Sequence, residues 1–242
     1  MQLSFNALNI EFCRMKRLPL ITKDGSVTLS VPEMNVTYHS VHGAIQESQH
    51  VFIDAGLKYY QQLHPGEQVS VLEVGFGTGL NALLSIIEAE GRETSIYYVA
   101  LEPYPLTKDE ISFLNYCQLL KRPDLQQDFL AIHECEWNKS LIASENIIMH
   151  KSDMTLKTFT HSTKFHLVYY DVFAPSAQPE LWTKEIFEKL HDLLHPGGIL
   201  VTYCSKGEVR RAMQAAGFLI EKIQGPPGKR EMVRAVKKNS QQ

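Results

Sequence analysis

The segment Glu73-Val-Gly-Phe-Gly-Thr-Gly-Leu-Asn81 decides the fold, because it joins a strand pattern to a helix pattern. The apolar run 69–72 before it is short and rich in β-branched residues, which predicts a buried strand. The run 80–88 after it has helical spacing and good helix formers. Three glycines in the connection let the backbone turn sharply and approach a ligand, because no Cβ stands in the way. This order predicts the ligand-binding turn of an α/β fold.

The spacing of the glycines separates the classes of ligand that such a turn binds. Dinucleotide folds use G-x-G-x-x-G and place a pyrophosphate at the helix N-terminus. Position 80 would then be glycine, but it is Leu80, and the third glycine comes one residue early at Gly79. The acidic Glu73 before the first glycine would repel a pyrophosphate. The E-x-G-x-G-x-G arrangement resembles the first motif of S-adenosylmethionine (SAM) methyltransferases, whose cofactor carries an ammonium group and no phosphate. A tight turn that binds nothing is the alternative.

The composition is that of one folded domain. The chain has 242 residues, 44% hydrophobic and 21% charged, so it is long enough to bury one full-sized core. It contains no apolar run of the roughly 18 residues that a membrane span needs, and no signal-peptide pattern, so we expect a cytoplasmic protein. Four cysteines lie far apart without a C-x-x-C pair and indicate reduced thiols: Cys13, Cys117, Cys135 and Cys204.

Alternating strand and helix patterns predict an α/β fold with a parallel sheet that is covered on both faces. The expected strands are 69–74, 96–101, 147–150, 167–170, 198–203, 218–223 and 231–236. The last two are joined by Gly225-Pro-Pro-Gly228 without a helix, which predicts an antiparallel hairpin at the end of a seven-stranded, mostly parallel sheet. Thr107-Lys-Asp-Glu110 has the pattern of a capping box and predicts the start of a helix.

A small addition is expected before this domain. Residues 27–31 and 34–38 alternate as a β-hairpin, and 46–63 has helical spacing. The expected organisation is an N-terminal extension (1–64), a main domain (65–238) and a frayed tail (239–242).

Charge is distributed unevenly along the chain, whose net charge is −3. From Lys206 onward there are nine Lys or Arg residues and three acidic ones, a balance of +6 that leaves −9 for the rest. A positively charged C-terminal region on an otherwise negatively charged chain is typical of a protein that binds a polyanion. A solvated surface helix and strand is an equally open alternative.

Three acidic residues stand where expected strands end, and ligands of this class of fold bind outside the carboxyl ends of the strands. Glu102 closes the second strand, about 25 residues past the glycine turn, and can accept hydrogen bonds from both ribose hydroxyls. Asp153 follows the third strand, and Asp171 opens the segment Asp171-Val-Phe-Ala-Pro175 after the fourth. One such residue alone would more simply cap a helix or loop. Three in register with a glycine turn indicate a binding site.

No metal site is expected from the histidines. His191 and His195 have the i, i+4 spacing of two zinc ligands, but Asp192 stands where the zinc motif has Glu. Pro196 ends the helix, and the helix dipole favours histidines at a C-terminus.

Five segments resemble, in this order, the methyltransferase domain of the MnmC family, which is also found alone as MnmD. They are EVGFGTGLN (73–81), LEPYPLT (101–107), DVFAPSAQPELWT (171–183), HPGGILVTY (195–203) and PGKREM (227–232). The likeness takes in Tyr38-His-Ser and 46–52 as well, whereas 13–35 and 121–145 match nothing. It implies a Rossmann-like SAM-dependent methyltransferase fold. It also implies methylation of the aminomethyl group of 5-aminomethyl(-2-thio)uridine at the wobble position of tRNA.

The resemblance further implies roles for individual residues. Glu102 is expected on the ribose of SAM and Asp153 near its adenine, within a larger cofactor-binding set of Glu73, Gly75, Gly77, Gly79, Asn81, Glu102, Asp153 and Asp171. Asp171 is expected to hold the amine and take its proton, with Phe173 against the uracil and Pro175 stiffening the loop. Contacts to tRNA phosphates are expected from Arg210, Arg211, Lys229 and Arg230.

Two-domain members of the family continue into a flavin-dependent domain that makes the aminomethyl precursor. This chain stops before such a domain, so a separate enzyme is expected to supply the precursor. Two other functions remain open. A SAM methyltransferase acting on a small molecule or a protein would not need the basic C-terminal face. A catalytically silent RNA-binding module would need neither Asp171 nor an intact turn. The glycine spacing excludes an NAD-dependent oxidoreductase.

Overall fold

The computed structural model describes residues 15–92 and 94–239. Cys13, the first 14 residues of the expected extension and residues 240–242 of the expected tail lie outside the described residues. The described chain forms a large sheet covered by helices on both faces and a small N-terminal sheet.

The main sheet has eight strands in the order β10-β11-β9-β8-β4-β5-β7-β6. The five central strands, from β9 through β8, β4 and β5 to β7, run parallel. β11 pairs antiparallel with β9 and with β10, so the predicted C-terminal hairpin is confirmed. The strands are β4 (Val69–Val74), β5 (Ile96–Leu101), β6 (Ser140–Ser144), β7 (Ile147–Ser152), β8 (Phe165–Tyr170), β9 (Leu194–Thr202), β10 (Phe218–Gln224) and β11 (Glu231–Lys237).

This sheet has one strand more than the seven expected. β6 pairs antiparallel with β7 at one edge, with a register shift between Ile142 and Ser144. It lies within 121–145, the stretch that the sequence left unassigned. Five residues bounded by serines, with Ile142 turned to solvent, give little of the alternation that identifies a strand.

The N-terminal sheet also has an additional strand. β1 (Leu18–Ile21), β2 (Val27–Val31) and β3 (Val36–Thr37) form an antiparallel sheet where a two-stranded hairpin was expected. β1 is exposed along its whole length, so no burial pattern marks it in the sequence.

The helix after this sheet, α1 (residues 44–63), is α-helical at Ala44–Ser48 and Tyr59–Leu63 and π-helical at Gln49–Lys58. It packs closely on the main sheet at Gly56, where a Cβ would lie 3.1 Å from Val201 and 3.2 Å from Tyr169. Its apolar side chains belong to the same core as the sheet. The boundary expected at residue 64 stays a prediction, since the extension and the main domain share that core.

The remaining helices cover both faces of the sheet. One core cluster includes side chains of α1 and of the helices at 80–89 and 126–134, and the other includes side chains of the helices at 184–193 and 207–215. The predicted capping box is present, because Thr107 N–H donates to Glu110 Oε2 (2.7 Å) and Glu110 N–H donates to Thr107 Oγ1 (3.3 Å). The helices are α2 (Leu80–Ala89), α3 (Lys108–Ser112), α4 (Tyr116–Leu119), α5 (Gln126–Glu134), α6 (Lys184–Leu193) and α7 (Gly207–Ala215).

A close backbone contact fixes the ends of two neighbouring strands, β4 and β8. Asp171 N–H donates to Val74 O at 3.0 Å, one residue beyond the end of β8. Gly75 has a φ of +93°, and a Cβ there would overlap the carbonyl oxygen of Asp171. Glycine is required at this position because any side chain would push the two strand ends apart.

We predict that Gly75→Ala lowers the free energy of unfolding by about 1–3 kcal/mol more than Gly66→Ala does. Gly66 also has a positive φ, +80°, but no described atom lies within 4 Å of a Cβ built on it. Both variants carry the left-handed backbone strain of about 1–2 kcal/mol, and only Gly75→Ala adds a clash. Urea denaturation of both variants measures the difference, and equal losses would contradict the close contact.

Candidate active site

A cavity of about 550 Å³ opens at the carboxyl ends of β4, β5 and β8. Its lining comes from parts of the chain that are far apart in sequence, among them 35–41, 74–78, 101–104, 155–157 and 171–174. Glu47, Tyr203 and Lys229 also line it. The cavity therefore lies where ligands bind in open α/β sheets.

The glycine turn forms the floor of this cavity. A Cβ on Gly77 would lie 3.1 Å from the Tyr38 ring, so the space between them fits only a bare backbone. Gly77 N–H donates to Glu102 Oε2 at 2.8 Å, and Tyr104 N–H donates to Glu102 Oε1 at 2.9 Å. Glu102 is buried, which raises the pKa of its carboxyl group. Each of its oxygens can still accept a second hydrogen bond, so Glu102 can hold two hydroxyl groups.

Glu73 lies beneath the turn and does not line the cavity. Its Oε1 accepts from Asn81 Nδ2 and its Oε2 accepts from Tyr98 Oη, both at 2.9 Å. The side chain is completely buried, and burial raises the pKa of its carboxyl group well above the usual range. Glu73, which the sequence suggested would suit the ammonium group of a cofactor, therefore links β4 to the start of α2 and to β5.

Asp171, in contrast to Glu73, lines the cavity. Its Oδ2 accepts from Asn81 Nδ2 at 2.9 Å, so one side-chain amide joins Asp171 to Glu73. Burial raises the pKa of Asp171 to about 7, and the charge of Glu47 acts in the same direction. The Asn81 hydrogen bond and the charge of Lys229 act against this rise. A carboxyl group with such a pKa can exchange a proton near neutral pH.

The segment that follows Asp171 is held by hydrogen bonds from its own continuation. Phe173 N–H donates to Gln178 Oε1 (3.0 Å), and Trp182 Nε1 donates to the carbonyl of Phe173 (2.8 Å). The Phe173 ring meets the Tyr38 ring edge to face, with centroids 5.1 Å apart. Pro175 belongs to this loop but does not line the cavity.

Two histidines contact Thr78 of the glycine turn, His39 from a buried position and His133 from a half-buried one. His39 Nε2 lies 2.7 Å from Thr78 Oγ1, and His133 Nε2 lies 3.1 Å from the Thr78 carbonyl. Burial lowers the pKa of His39 to about 4, and burial together with the charge of Lys151 lowers the pKa of His133 to about 4. Both rings are therefore neutral at neutral pH.

The N-terminal contributions to the cavity, Tyr38, His39 and Glu47, were not predicted as site residues. The available signal was the family likeness, which already took in Tyr38-His-Ser and 46–52. Nothing in the residue types alone marks them, because an aromatic or histidine near a short strand is usually a packing residue.

The other predicted site residues lie in different places. Gly79 begins α2 with a φ of +71°. Asp153 is exposed, accepts from Asn138 Nδ2 at 3.1 Å and does not line the cavity, so its contact with adenine stays a prediction. Among the basic residues, Arg211 and Arg230 are exposed and Arg210 is half-buried.

Lys229 is placed differently from these arginines. It is directed into the cavity, where its Nζ donates to Glu47 Oε1 at 2.7 Å.

The residues of the cavity fit SAM. The backbone of Gly75 and Gly77 is part of the lining with no Cβ in the way, and Glu102 has acceptor capacity for two ribose hydroxyls. Within residues 15–92 and 94–239, no group of three or more His, Cys, Asp or Glu side chains is arranged to hold a metal ion. No helix in the same ranges has the length and apolar character to traverse a bilayer.

Comparisons with known proteins agree with this geometry. Residues 123–238 match the family model described as S-adenosyl-L-methionine-dependent methyltransferase. Two proteins named tRNA 5-methylaminomethyl-2-thiouridine biosynthesis bifunctional protein MnmC are similar in sequence. The protein from Ectopseudomonas mendocina (strain ymp) is 30% identical over 81% of this chain and 31% of its own length. The protein from Pseudomonas entomophila (strain L48) is 29% identical over 82% of this chain and 32% of its own. The chain thus spans about a third of these relatives.

A solved structure supports the fold independently. The crystal structure of MnmC2 from Aquifex aeolicus superimposes with a TM-score of 0.73, covering 99% of this chain and 78% of that one, at 23% identity. Residues 123–238 thus match the S-adenosyl-L-methionine-dependent methyltransferases, and the chain is similar in sequence to the MnmC proteins and in fold to MnmC2.

Proposed function

We propose that this protein transfers a methyl group from SAM to the aminomethyl nitrogen of 5-aminomethyl(-2-thio)uridine at the wobble position of tRNA. The observation that carries the proposal is Asp171, whose carboxyl group faces the cavity beside a SAM-type glycine turn and has a pKa raised to about 7. The names of the relatives, which concern 5-methylaminomethyl-2-thiouridine in tRNA, support the choice of substrate.

SAM would lie on the turn of Gly75, Gly77 and Gly79, with Glu102 accepting hydrogen bonds from its ribose hydroxyls. Its adenine would extend toward Asp153. When bound, SAM supplies an electrophilic methyl group on a positively charged sulfur. Asn81 and Glu73 support this arrangement from below, since they hold the turn and Asp171 in fixed positions.

Asp171 would prepare the nitrogen for attack. A primary amine is mostly protonated at neutral pH and must lose a proton before its lone pair can react. A carboxylate with a pKa near 7 accepts that proton more readily than one at the ordinary value of 3.8. Because Asn81 occupies Oδ2, Oδ1 is left for the amine. Phe173 would pack against the uracil, and Pro175 would restrict the loop.

The tRNA would contact the outer side of the C-terminal region. Arg211 and Arg230 are exposed and available for phosphates, with Arg210 beside them on α7. The phosphate contact proposed for Lys229 has less support, because its ammonium is paired with Glu47. We expect the reaction to take place in the cytoplasm, on tRNA that already carries the aminomethyl group.

We predict that incubation with isotope-labelled SAM converts 5-aminomethyl-2-thiouridine in tRNA into its labelled 5-methylaminomethyl derivative. The substrate is tRNA from a strain that makes the aminomethyl group but cannot methylate it, and nucleoside mass spectrometry identifies the product. The matched control is tRNA from a strain that lacks the aminomethyl group. If both tRNAs are labelled, the methyl group goes to another position of the tRNA. If neither tRNA is labelled while free amines or proteins are, the protein is a methyltransferase for another substrate.

A second prediction concerns Asp171→Asn, which keeps the shape of the side chain but removes the base. Loss of a general base reduces the rate of methyl transfer by about 10²–10⁴-fold. In the wild type, kcat/KM should rise with pH up to about 7, because Asp171 must be ionised to accept the proton. In Asp171→Asn that inflection should disappear, and only the rise due to the substrate amine should remain.

Calorimetric titration with SAM controls for folding of this variant. An unchanged inflection in the pH dependence of kcat/KM would refute the role of Asp171 as the base. The other ionisable groups that interact with Asp171 include Glu47, Lys229, Glu73, Tyr98 and Tyr203.

A further inference from the structure

Glu47 lines the same cavity as Asp171 and Glu102. Glu47 belongs to α1 and is only 6% exposed. Its Oε2 accepts from Ser40 N–H at 2.7 Å, and its Oε1 accepts from Lys229 Nζ at 2.7 Å. Holding the glycine turn or a ribose does not require Glu47, because Glu102 and the backbone of the turn do both.

Lys229 shows which chemical group this carboxylate binds. Its Nζ lies 2.7 Å from Glu47 Oε1 and 3.9 Å from the centre of the Tyr203 ring. The ring is fixed, because Tyr203 Oη donates to the carbonyl of Val172 at 2.8 Å. A terminal –CH₂–NH₃⁺ group therefore sits between a carboxylate and an aromatic face, a pair that binds primary ammonium groups.

This ammonium position lies near the proposed base. Glu47, Lys229, Tyr203 and Asp171 all line the one cavity. The negative charge of Glu47 raises the pKa of Asp171 and the positive charge of Lys229 lowers it, so both groups are within electrostatic range of the Asp171 carboxyl group. A cation held by Glu47 is thus close to the group that would take its proton.

We propose that Glu47 binds the ammonium group of the substrate and that Lys229 occupies this position until the substrate arrives. The inference rests on the proposed function, in which the acceptor is an aminomethyl group. That group ends in the same –CH₂–NH₃⁺ as lysine and displaces Lys229 Nζ from Glu47. One proton then passes from the substrate nitrogen to the Asp171 carboxylate and leaves a neutral amine with a free lone pair. Glu47 therefore selects acceptors with a charged amine over neutral acceptors of equal size.

The test measures discrimination between two anticodon stem-loops. One carries 5-aminomethyl-2-thiouridine at the wobble position and the other carries the neutral 5-hydroxymethyl-2-thiouridine. The ratio of their dissociation constants reports recognition of the amine, and phosphate contacts cancel in it. Glu47→Gln retains an oxygen for Ser40 N–H but loses the charge, so we expect the wild-type preference for the amine to fall about tenfold.

Lys229→Met should change this ratio in the opposite direction. It removes the ammonium that competes for Glu47, so the preference for the aminomethyl loop should increase several-fold. If the ion pair has only a structural role, both variants should change the ratio in the same direction or leave it unaltered. Either result would overturn the inference. Thermal unfolding and SAM titration verify that both variants are folded.

Lys222→Met is the matched control. Lys222 lies on the same hairpin and pairs with Glu231 at 3.1 Å, but it does not line the cavity, so its loss should leave the ratio unchanged. Methyl transfer to the aminomethyl loop is measured in parallel with the wild type. If the wild type transfers the methyl group and Glu47→Gln has the wild-type ratio of dissociation constants, only the role of Glu47 is refuted. No transfer by the wild type refutes the proposed function and this inference together.

Discussion

The site depends on one side-chain amide, that of Asn81, which holds two buried carboxyl groups at the ends of neighbouring strands. Its Nδ2 donates to Glu73 and to Asp171, in both cases at 2.9 Å. Two carboxyl groups so close in a buried place disfavour their joint ionisation. A shared neutral donor fixes both without supplying a positive charge, so Asp171 keeps its raised pKa. An arginine in this place would hold Asp171 ionised and make it a weaker base.

The N-terminal segment is as much a part of the site as the sheet is. Tyr38 covers Gly77, His39 holds Thr78, and Glu47 reaches the cavity from α1. This segment is kept in place by the packing of α1 on the sheet at Gly56, where the helix backbone approaches two side chains of the sheet. The site therefore forms only when the first part of the chain docks on β8 and β9, which couples the cavity to the stability of the whole fold.

Local patterns in the sequence predicted the central features. The strand, the glycine turn and the helix form a unit of consecutive residues, and Glu102 and Asp171 both line the cavity as residues at strand ends should. β6 was missed because an exposed edge strand lacks alternation. Lys229 was assigned to the surface because charge counting treats each lysine as solvated, whereas its partner Glu47 lies 182 residues earlier in the chain. The pKa of Asp171 depends on burial, which no local pattern contains.

The π-helical stretch of α1 has a consequence for the length of this helix. Wide turns with i→i+5 hydrogen bonds accommodate residues that a regular α-helix of the same height would not. Glu47 lies just before the stretch and Gly56 lies within it, so the wide turns set the angle between the face that reaches the cavity and the face that packs on the sheet. Removing one residue from Gln49–Lys58 would turn Glu47 around the helix axis relative to Gly56, because each residue of a helix adds a rotation about its axis. The number of residues in this helix, and not only their identity, is thus part of what defines the acceptor pocket.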